Sequence, residues 1–316
     1  MPHKNGLILV DKPSGMTSHD VVNYMRRKLN MKRVGHTGIL DPSATGLLVM
    51  LLGRGTLLSS WLTGMSKRYA ARFVFGLETD TYDFDGEIVS EKDPEQISIE
   101  SFEKMLGKYK GEIEQVIPPY SAVKRSGMTF HKMARSGRQF NPGLKVVEIK
   151  EVKLIDYNWP EVALDIECSS GTYIRSIAHQ MGQDFGCGAI LKALRRIEVG
   201  PFRLSEANTL ENIVMSTDPE QFIRPLKEAL PIFPAVHIKE QYCEAVSGGR
   251  PLVKKYFVES DYRGGGGELS LLLDHDENVL ALARLNMNWR ALEKLDPAQV
   301  MGSYVRVIDE GHIRVE

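Results

Sequence analysis

From residue 35 the chain reads Gly35-His36-Thr37-Gly38-Ile39-Leu40-Asp41-Pro42-Ser43-Ala44-Thr45-Gly46-Leu47-Leu48, and no other stretch restricts its folding as strongly. Its glycines and Pro42 are incompatible with a continuous helix. The apolar run Leu47–Leu52 that follows, closed by Gly53, has the length of a buried strand. A single carboxylate, Asp41, therefore sits on a loop that leads straight into the core. Glycines allow a ligand to approach the backbone closely, and Pro42 holds Asp41 extended. A carboxylate in that setting is a candidate catalytic group, although local pattern alone favours a turn or cap residue.

The flanking segments predict the rest of the framework. Gly6–Val10 reads as a buried strand ending at Asp11-Lys12-Pro13. Thr17 with Asp20 three residues on is a helix start, and Val21, Val22, Met25 and Leu29 follow at helical spacing. Strands are predicted over Tyr69–Phe75, Val146–Tyr157 and Val162–Cys168, with a turn near Asn158-Trp159-Pro160 between the last two. Helices are predicted over Ile97–Leu106, Phe130–Arg135 and Thr172–Phe185, the last with Ile174, Ile177, Ala178 and Met181 inward. Several strands are consecutive, so an α/β (α+β mixed) fold with a mixed, largely antiparallel sheet flanked by helices is expected. Prolines cluster at 225–234. Beyond them, short apolar runs, the Gly248-Gly249-Arg250-Pro251 turn and the Gly264–Gly267 run predict a small β domain. The expected division is 1–230 and 231–316.

Composition narrows the function classes. At 42% hydrophobic and 26% charged over 316 residues, the chain is of ordinary globular type. It has no run near the roughly 20 apolar residues of a membrane helix and no signal-peptide pattern at its start, so a cytoplasmic location without membrane contact is expected. Cys168, Cys187 and Cys243 are widely spaced and suit reduced, buried thiols. The net charge of −1 hides a strong segregation. Residues 1–72 carry 11 Lys/Arg against 3 acids, and residues 121–146 carry six Lys/Arg and no acid. Residues 73–105 hold ten acids and two Lys/Arg. Such a chain has a candidate face for an anionic ligand, the alternative being solvated basic helix faces. Histidine spacing, the Asp80-Asp83-Asp85 carboxylates and the glycine loops fit no metal, P-loop or dinucleotide motif. No metal or other cofactor is expected.

Five co-linear segments carry a resemblance. The loop around Asp41 resembles the signature loop of the TruB family of pseudouridine synthases. Leu9-Val10-Asp11-Lys12-Pro13-Ser14-Gly15-Met16-Thr17-Ser18 resembles the family's N-terminal motif, and Lys67-Arg68-Tyr69 the segment with its active-site tyrosine. Pro118-Pro119-Tyr120-Ser121-Ala122-Val123-Lys124 is similar to its substrate-side motif. Ser170-Gly171-Thr172-Tyr173-Ile174-Arg175-Ser176 resembles the segment bearing its tyrosine and arginine, and Gly186-Cys187-Gly188-Ala189 and Leu194-Arg195-Arg196 follow in order. The match covers about residues 6–205. Two positions depart from the pattern: Ile39, expected to pack behind the loop, stands where threonine or alanine is usual, and His131 where a tyrosine is usual.

The resemblance implies isomerisation of a uridine in the T loop of transfer RNA, at position 55, by a pseudouridine synthase fold with a C-terminal PUA-like RNA-binding domain. Asp41 is then the essential carboxylate at C1′, Arg175 the cation that keeps it ionised, and Tyr69 the ring that stacks on the flipped base and acts at C5. His36 fills the space that the base vacates, a position where a lone loop histidine is otherwise more often structural. Tyr173 and Leu194 line the pocket. Residues 121–146 resemble a mobile thumb, with Lys124, Arg125, Lys132, Arg135 and Arg138 as phosphate contacts. Lys12 either joins the substrate-binding set or supports the active-site loop. The expected partner is the T-stem loop of tRNA, with no obligate protein partner, and the expected state is a monomer.

Three other readings fit parts of the pattern. A guide-RNA-directed pseudouridine synthase shares the core but lacks the thumb. A non-catalytic RNA-binding protein would not need Asp41, Tyr69 and Arg175 together. A glycoside hydrolase would place two carboxylates about the scissile bond, and only one acid lies in the motif-bearing loops.

Overall fold

The computed structural model describes residues 4–121, 123–125, 128–130, 133, 142–231, 233–258, 266–286 and 296–310. Helix α1 (Ser18–Leu29) starts at Thr17, as its sequence predicts. The Asp20 N–H donates to Thr17 Oγ1 at 3.0 Å and the Thr17 N–H donates to Asp20 Oδ2 at 2.9 Å, which satisfies two helix-end donors reciprocally. Val21, Val22, Met25 and Leu29 form its buried face.

The strands of the main sheet are, in chain order, β1 (Gly6–Lys12), β2 (Val34–His36), β3 (Thr45–Leu52) and β4 (Lys67–Phe75). A separate hairpin, β5 (Leu77–Thr79) and β6 (Ile88–Glu91), comes next. Then come β7 (Gly111–Val116), the short pair β8 (Lys124–Arg125) and β9 (Met128–Thr129), and the long hairpin β10 (Leu144–Asn158) and β11 (Glu161–Cys168). β12 (Ala189–Val199), β13 (Phe202–Arg203) and β14 (Asn208–Thr209) complete the set. Ten strands form one sheet in the order β14-β1-β3-β12-β4-β11-β10-β7, with β2 on β3 and β13 on β12. The β1–β14 and β3–β12 joints are parallel and the other joints antiparallel, the mixed sheet expected.

The continuous apolar runs in β1 and β3 have a physical cause: both faces of these strands are covered. On one face Ile8, Val10, Leu48, Met50 and Leu52 pack with the apolar side of α1. On the other, Leu7, Leu9, Leu47, Val49 and Leu51 pack with Leu62 of α2 (Ser59–Gly64) and with Leu271, Leu273, Val279, Leu282 and Ile308. Leu271, Leu273, Val279 and Leu282 belong to a second, five-stranded sheet of β15 (Ala235–His237), β16 (Leu252–Val253), β17 (Leu269–Leu273), β18 (Val279–Leu285) and β19 (Val300–Val307), and Ile308 directly follows its last strand. The expected C-terminal β unit is therefore present, and Leu226, Ala229 and Leu230 at the expected boundary lie in the core that it shares with the main sheet. Each such fully buried leucine contributes about 1.5–3 kcal/mol.

Helices α3 (Ile99–Leu106) and α4 (Ile174–Asp184) cover β4, β11 and β12 through Phe102, Met105, Ile174, Ile177, Ala178 and Met181. The predicted helix over Phe130–Arg135 lies largely outside the described residues. Gly46 marks the tightest backbone approach in the site region. It pairs with Lys12 on β1 and with Arg196 on β12, its φ is +101°, and a Cβ there would lie 2.3 Å from the Arg196 carbonyl oxygen. Gly46→Ala is expected to lower the unfolding free energy by about 2–4 kcal/mol, read as a fall in the denaturant midpoint at unchanged slope.

Candidate active site

The loop that bears Asp41 is fixed from below by buried donors. The Lys12 ammonium, with its residue fully buried, donates to the carbonyls of Pro13 (2.8 Å), Met16 (2.6 Å) and Pro42 (3.1 Å). Burial pulls its pKa down to about 8, with the Asp41 charge opposing and Arg196 assisting. Arg196, also buried, donates from Nε to Leu47 O at 2.7 Å, from Nη2 to Gly38 O at 3.2 Å and from Nη1 to Ile39 O at 3.3 Å. Ser18 Oγ accepts from the Leu40 N–H at 2.8 Å and donates to the Leu40 carbonyl at 3.2 Å. Loop backbone that would otherwise strand polar groups in the interior is thus satisfied.

Arg175 enters from the first turn of α4. That helix start is seated on β7, where buried Gln115 accepts from the Tyr173 N–H and donates to its carbonyl, both at 2.8 Å, while Ser176 Oγ donates to Val116 O at 2.7 Å. The guanidinium lies 3.1 Å from Asp41 Oδ2 through Nε and 3.5 Å from Oδ1 through Nη2. Its outer side donates from Nη1 to Asp83 Oδ2 and Thr81 O, each at 3.2 Å, and from Nη2 to Tyr120 O at 3.1 Å. One cation therefore bridges two carboxylates. The side chains of Arg175 and Asp83 are only 7% and 11% exposed, whereas that of Asp41 is 38% exposed, so Asp41 alone of the three keeps an open edge. Burial raises the Asp83 pKa, and the Thr81 hydroxyl and Arg175 oppose that rise.

The open edge of Asp41 faces a cavity of about 470 Å³. Tyr69, Tyr120, Tyr173, Ile174 and Leu194 form much of its wall, with His36, Ile39, Lys67, Arg175 and Arg196 around them. Tyr69 is almost fully buried; burial raises its phenol pKa, and the Arg196 charge and hydrogen bond oppose this. His36 is pushed towards the neutral ring, mainly by burial and then by Arg196, and its Nδ1 accepts from the Gly38 N–H at 3.3 Å. Lys67 is lowered to about 8 by burial and donates to the carbonyls of Thr63 and Met65, both at 2.6 Å.

Residues 26–174 match the model of the TruB family pseudouridylate synthase N-terminal domain, and residues 175–231 match that of the tRNA pseudouridylate synthase B C-terminal domain. The chain belongs to the TruB family. It is 39% identical over 249 residues to the tRNA pseudouridine synthase B of Syntrophotalea carbinolica, covering 78% of this chain and 81% of that one. It is 35% identical over 294 residues to that of Alkaliphilus oremlandii, covering 89% and 98%. Among solved structures, a Cbf5–Nop10–Gar1 complex matches with a TM-score of 0.72 at 24% identity, over 96% of this chain and 84% of that chain. An H/ACA ribonucleoprotein bound to a substrate RNA containing 2′-deoxyuridine matches with the same score at 22% identity and the same coverage. At these identities the likeness establishes a shared fold.

Of the residues singled out in the sequence, Asp41, Tyr69, Arg175, His36, Tyr173 and Leu194 converge on the one cavity. Lys12 does not line it and spends its ammonium on loop carbonyls, which is the supporting placement of the two expected. Ile39 corrects its expectation: it is 61% exposed on the cavity rim and does not pack behind the loop, whose underside Arg196 occupies. Lys124 and Arg125 form β8, and their side chains, with Lys132, Arg135, Arg138 and His131, lie outside what is described. Asp83, Lys67 and Arg196 were not legible as site residues from sequence, Lys67 being marked only by its place in the Lys67-Arg68-Tyr69 segment. Asp83 lies in an acidic run without a motif, and the only hint of Arg196 was its place in the Leu194-Arg195-Arg196 segment.

Because Lys12 is lowered to about 8 in the fold from an ordinary 10.5, its burial destabilises fully below pH 8, and this is relieved as pH rises towards 10.5. The unfolding free energy of wild type relative to Lys12→Met is expected to rise between pH 8 and 10. A flat difference across that window, in denaturation at stepped pH, would contradict the buried ammonium.

Proposed function

We propose that the chain isomerises uridine to pseudouridine in transfer RNA, at position 55 of the T loop, with Asp41 as the carboxylate acting at C1′. The observation that carries this reading is the open Asp41 edge, held by Arg175 at the mouth of an aromatic-lined cavity. The family membership and the named activity of relatives matched over most of their length support it. The reaction breaks N1–C1′, turns the uracil and forms C5–C1′; the proton leaves C5 and N1 gains one, so no redox partner is needed. Breaking N1–C1′ develops positive charge on the sugar. A carboxylate oxygen at C1′ serves as nucleophile, as electrostatic stabiliser or as base at C2′, and each role needs the placement that the Arg175 contact gives it.

A stacked T-loop base must be extruded to reach this cavity, at a cost of a few kcal/mol. Tyr69 offers the ring for the flipped uracil, Tyr173 and Leu194 flank it, and His36 enters the space that the base leaves. For proton removal at C5 the Tyr69 phenol needs help, since burial holds it protonated; Arg196 is the neighbour that favours the phenolate. We assign residues 1–230 to the catalytic unit, 121–146 to a basic thumb over the T-stem and 231–316 to a PUA-like RNA-binding unit. Lys124, Arg125, Lys132, Arg135 and Arg138 contact phosphates, so binding should weaken steeply with salt. In this reading the protein works in the cytoplasm as a monomer, without an obligate protein partner.

Incubation of the purified chain with an unmodified tRNA transcript, without guide RNA, is expected to yield pseudouridine at one T-loop uridine, position 55. Asp41→Asn should bind the transcript and lower the rate by about three orders of magnitude or more. Equal product from Asp41→Asn, or none from wild type, would sink the reading. Arg175→Lys removes the forked contact and should lower the single-turnover rate by about a hundredfold, with tRNA affinity little changed.

A further inference from the structure

The turn that presents Asp83 to Arg175 is built around a backbone conformation that its sequence does not favour. Among the described non-glycine residues with positive φ (Asn30, Tyr82, Glu277 and Asp309), Tyr82 is the aromatic one, at φ +65°. A Cβ-bearing aromatic residue in the left-handed region persists only where its surroundings hold it. Two sets of contacts do so. Tyr82 O accepts from the Leu191 N–H at 3.0 Å and the Phe84 N–H donates to Leu191 O at 3.0 Å, which pins the turn to β12 on both sides of Asp83. The Tyr82 ring lies flat on the His179 imidazole, with centroids 3.9 Å apart and planes 9° from parallel.

His179 is one helical turn beyond Arg175 on α4, so the two side chains share a helix face. Its Nδ1 is buried without a hydrogen-bond partner among the described residues. A protonated ring would bury an unpaired N–H there, so the neutral ring is favoured, in the direction that burial gives its pKa. The stack therefore joins α4 to the turn at a second point beside the Arg175 contacts. Within that turn the Thr81 hydroxyl donates to Asp83 Oδ1 at 2.6 Å, the Asp85 N–H donates to the same oxygen at 3.2 Å, and Thr79 Oγ1 donates to Asp83 O at 2.7 Å. The Asp83 carboxylate is thus rigid relative to the Tyr82 backbone.

We propose that Tyr82 and His179 are a positioning pair for the reaction: their stack sets the Thr81–Asp83 turn, the turn sets Arg175, and Arg175 sets the Asp41 carboxylate. This rests on the reading of Asp41 given above. Neither ring lines the cavity, so the pair acts through Arg175 and not on substrate.

The test is single-turnover pseudouridine formation and tRNA affinity, with unfolding followed in parallel. Tyr82→Gly keeps the left-handed backbone accessible and removes the ring from the stack; His179→Ala removes the other ring. Each is expected to lower the rate by about tenfold with tRNA affinity unchanged. The double variant should fall no further than the worse single one, and Tyr82→Phe should keep the wild-type rate. A wild-type rate in Tyr82→Gly, losses that multiply in the double variant, or a loss confined to tRNA affinity would each overturn the pair. Asp41→Asn separates the two readings. If it is inactive while Tyr82→Gly is fully active, only the pair fails; if it is as active as wild type, the Asp41 reading fails and the pair with it.

Discussion

The architecture of the site depends on a buried guanidinium shared between two carboxylates. An arginine in the interior is tolerable only when paired and fully hydrogen-bonded, and Arg175 meets that condition by taking Asp41 on one side and Asp83, Thr81 O and Tyr120 O on the other. Four separate chain segments must be in place for this to happen. The α4 start is seated by Gln115, the signature loop is tied by Lys12 and Arg196, the Asp83 turn is pinned to Leu191, and Tyr120 follows β7. Removing Asp83, the buried carboxylate, would leave the cation half compensated, a loss of about 3–5 kcal/mol for buried pairs in general. The site is consequently a product of the whole main sheet and not of its signature loop.

What could be read in the sequence was local. The Thr17–Asp20 capping box, the apolar face of α1, the two-sided burial of Leu47–Leu52 and the β10–β11 hairpin follow from spacing over a few residues, and each is present. The convergence of Asp41, Tyr69 and Arg175 was legible only through the co-linear motifs, since their separation along the chain carries no geometry. Asp83 was illegible for a different reason. It is 92 residues from Arg175, in a segment whose acidity reads as solvent-facing, and the β12 pairing that buries it is a long-range event. Arg195 and Arg196 illustrate the same limit. Neighbours in a strand point to opposite faces, so one pairs with Asp11 near the surface while the other is sealed beneath the loop, and the dipeptide gives no sign of which.

Lysine is rarely fully buried, yet Lys12 is, and Lys67 nearly so. Both donate to main-chain carbonyls, and both are shifted towards neutrality with Arg196 as a contributing charge. A layer of cations under an acidic loop makes the Asp41 region locally positive although the chain as a whole carries a charge of −1. For a ligand made of nucleotides, this local balance matters more than the overall one.

Gly46 gives this arrangement a kinematic meaning. Because it leaves no room for even a methyl group against the Arg196 backbone, and because it pairs with Lys12 on its other side, the base of the Asp41 loop has no travel relative to β1 and β12. On the proposed reading, the strand base that carries the Asp41 loop stays in place while the substrate arrives. The reacting sugar must be delivered to that loop, so the conformational work of catalysis falls on the RNA and on whatever part of the protein grips it.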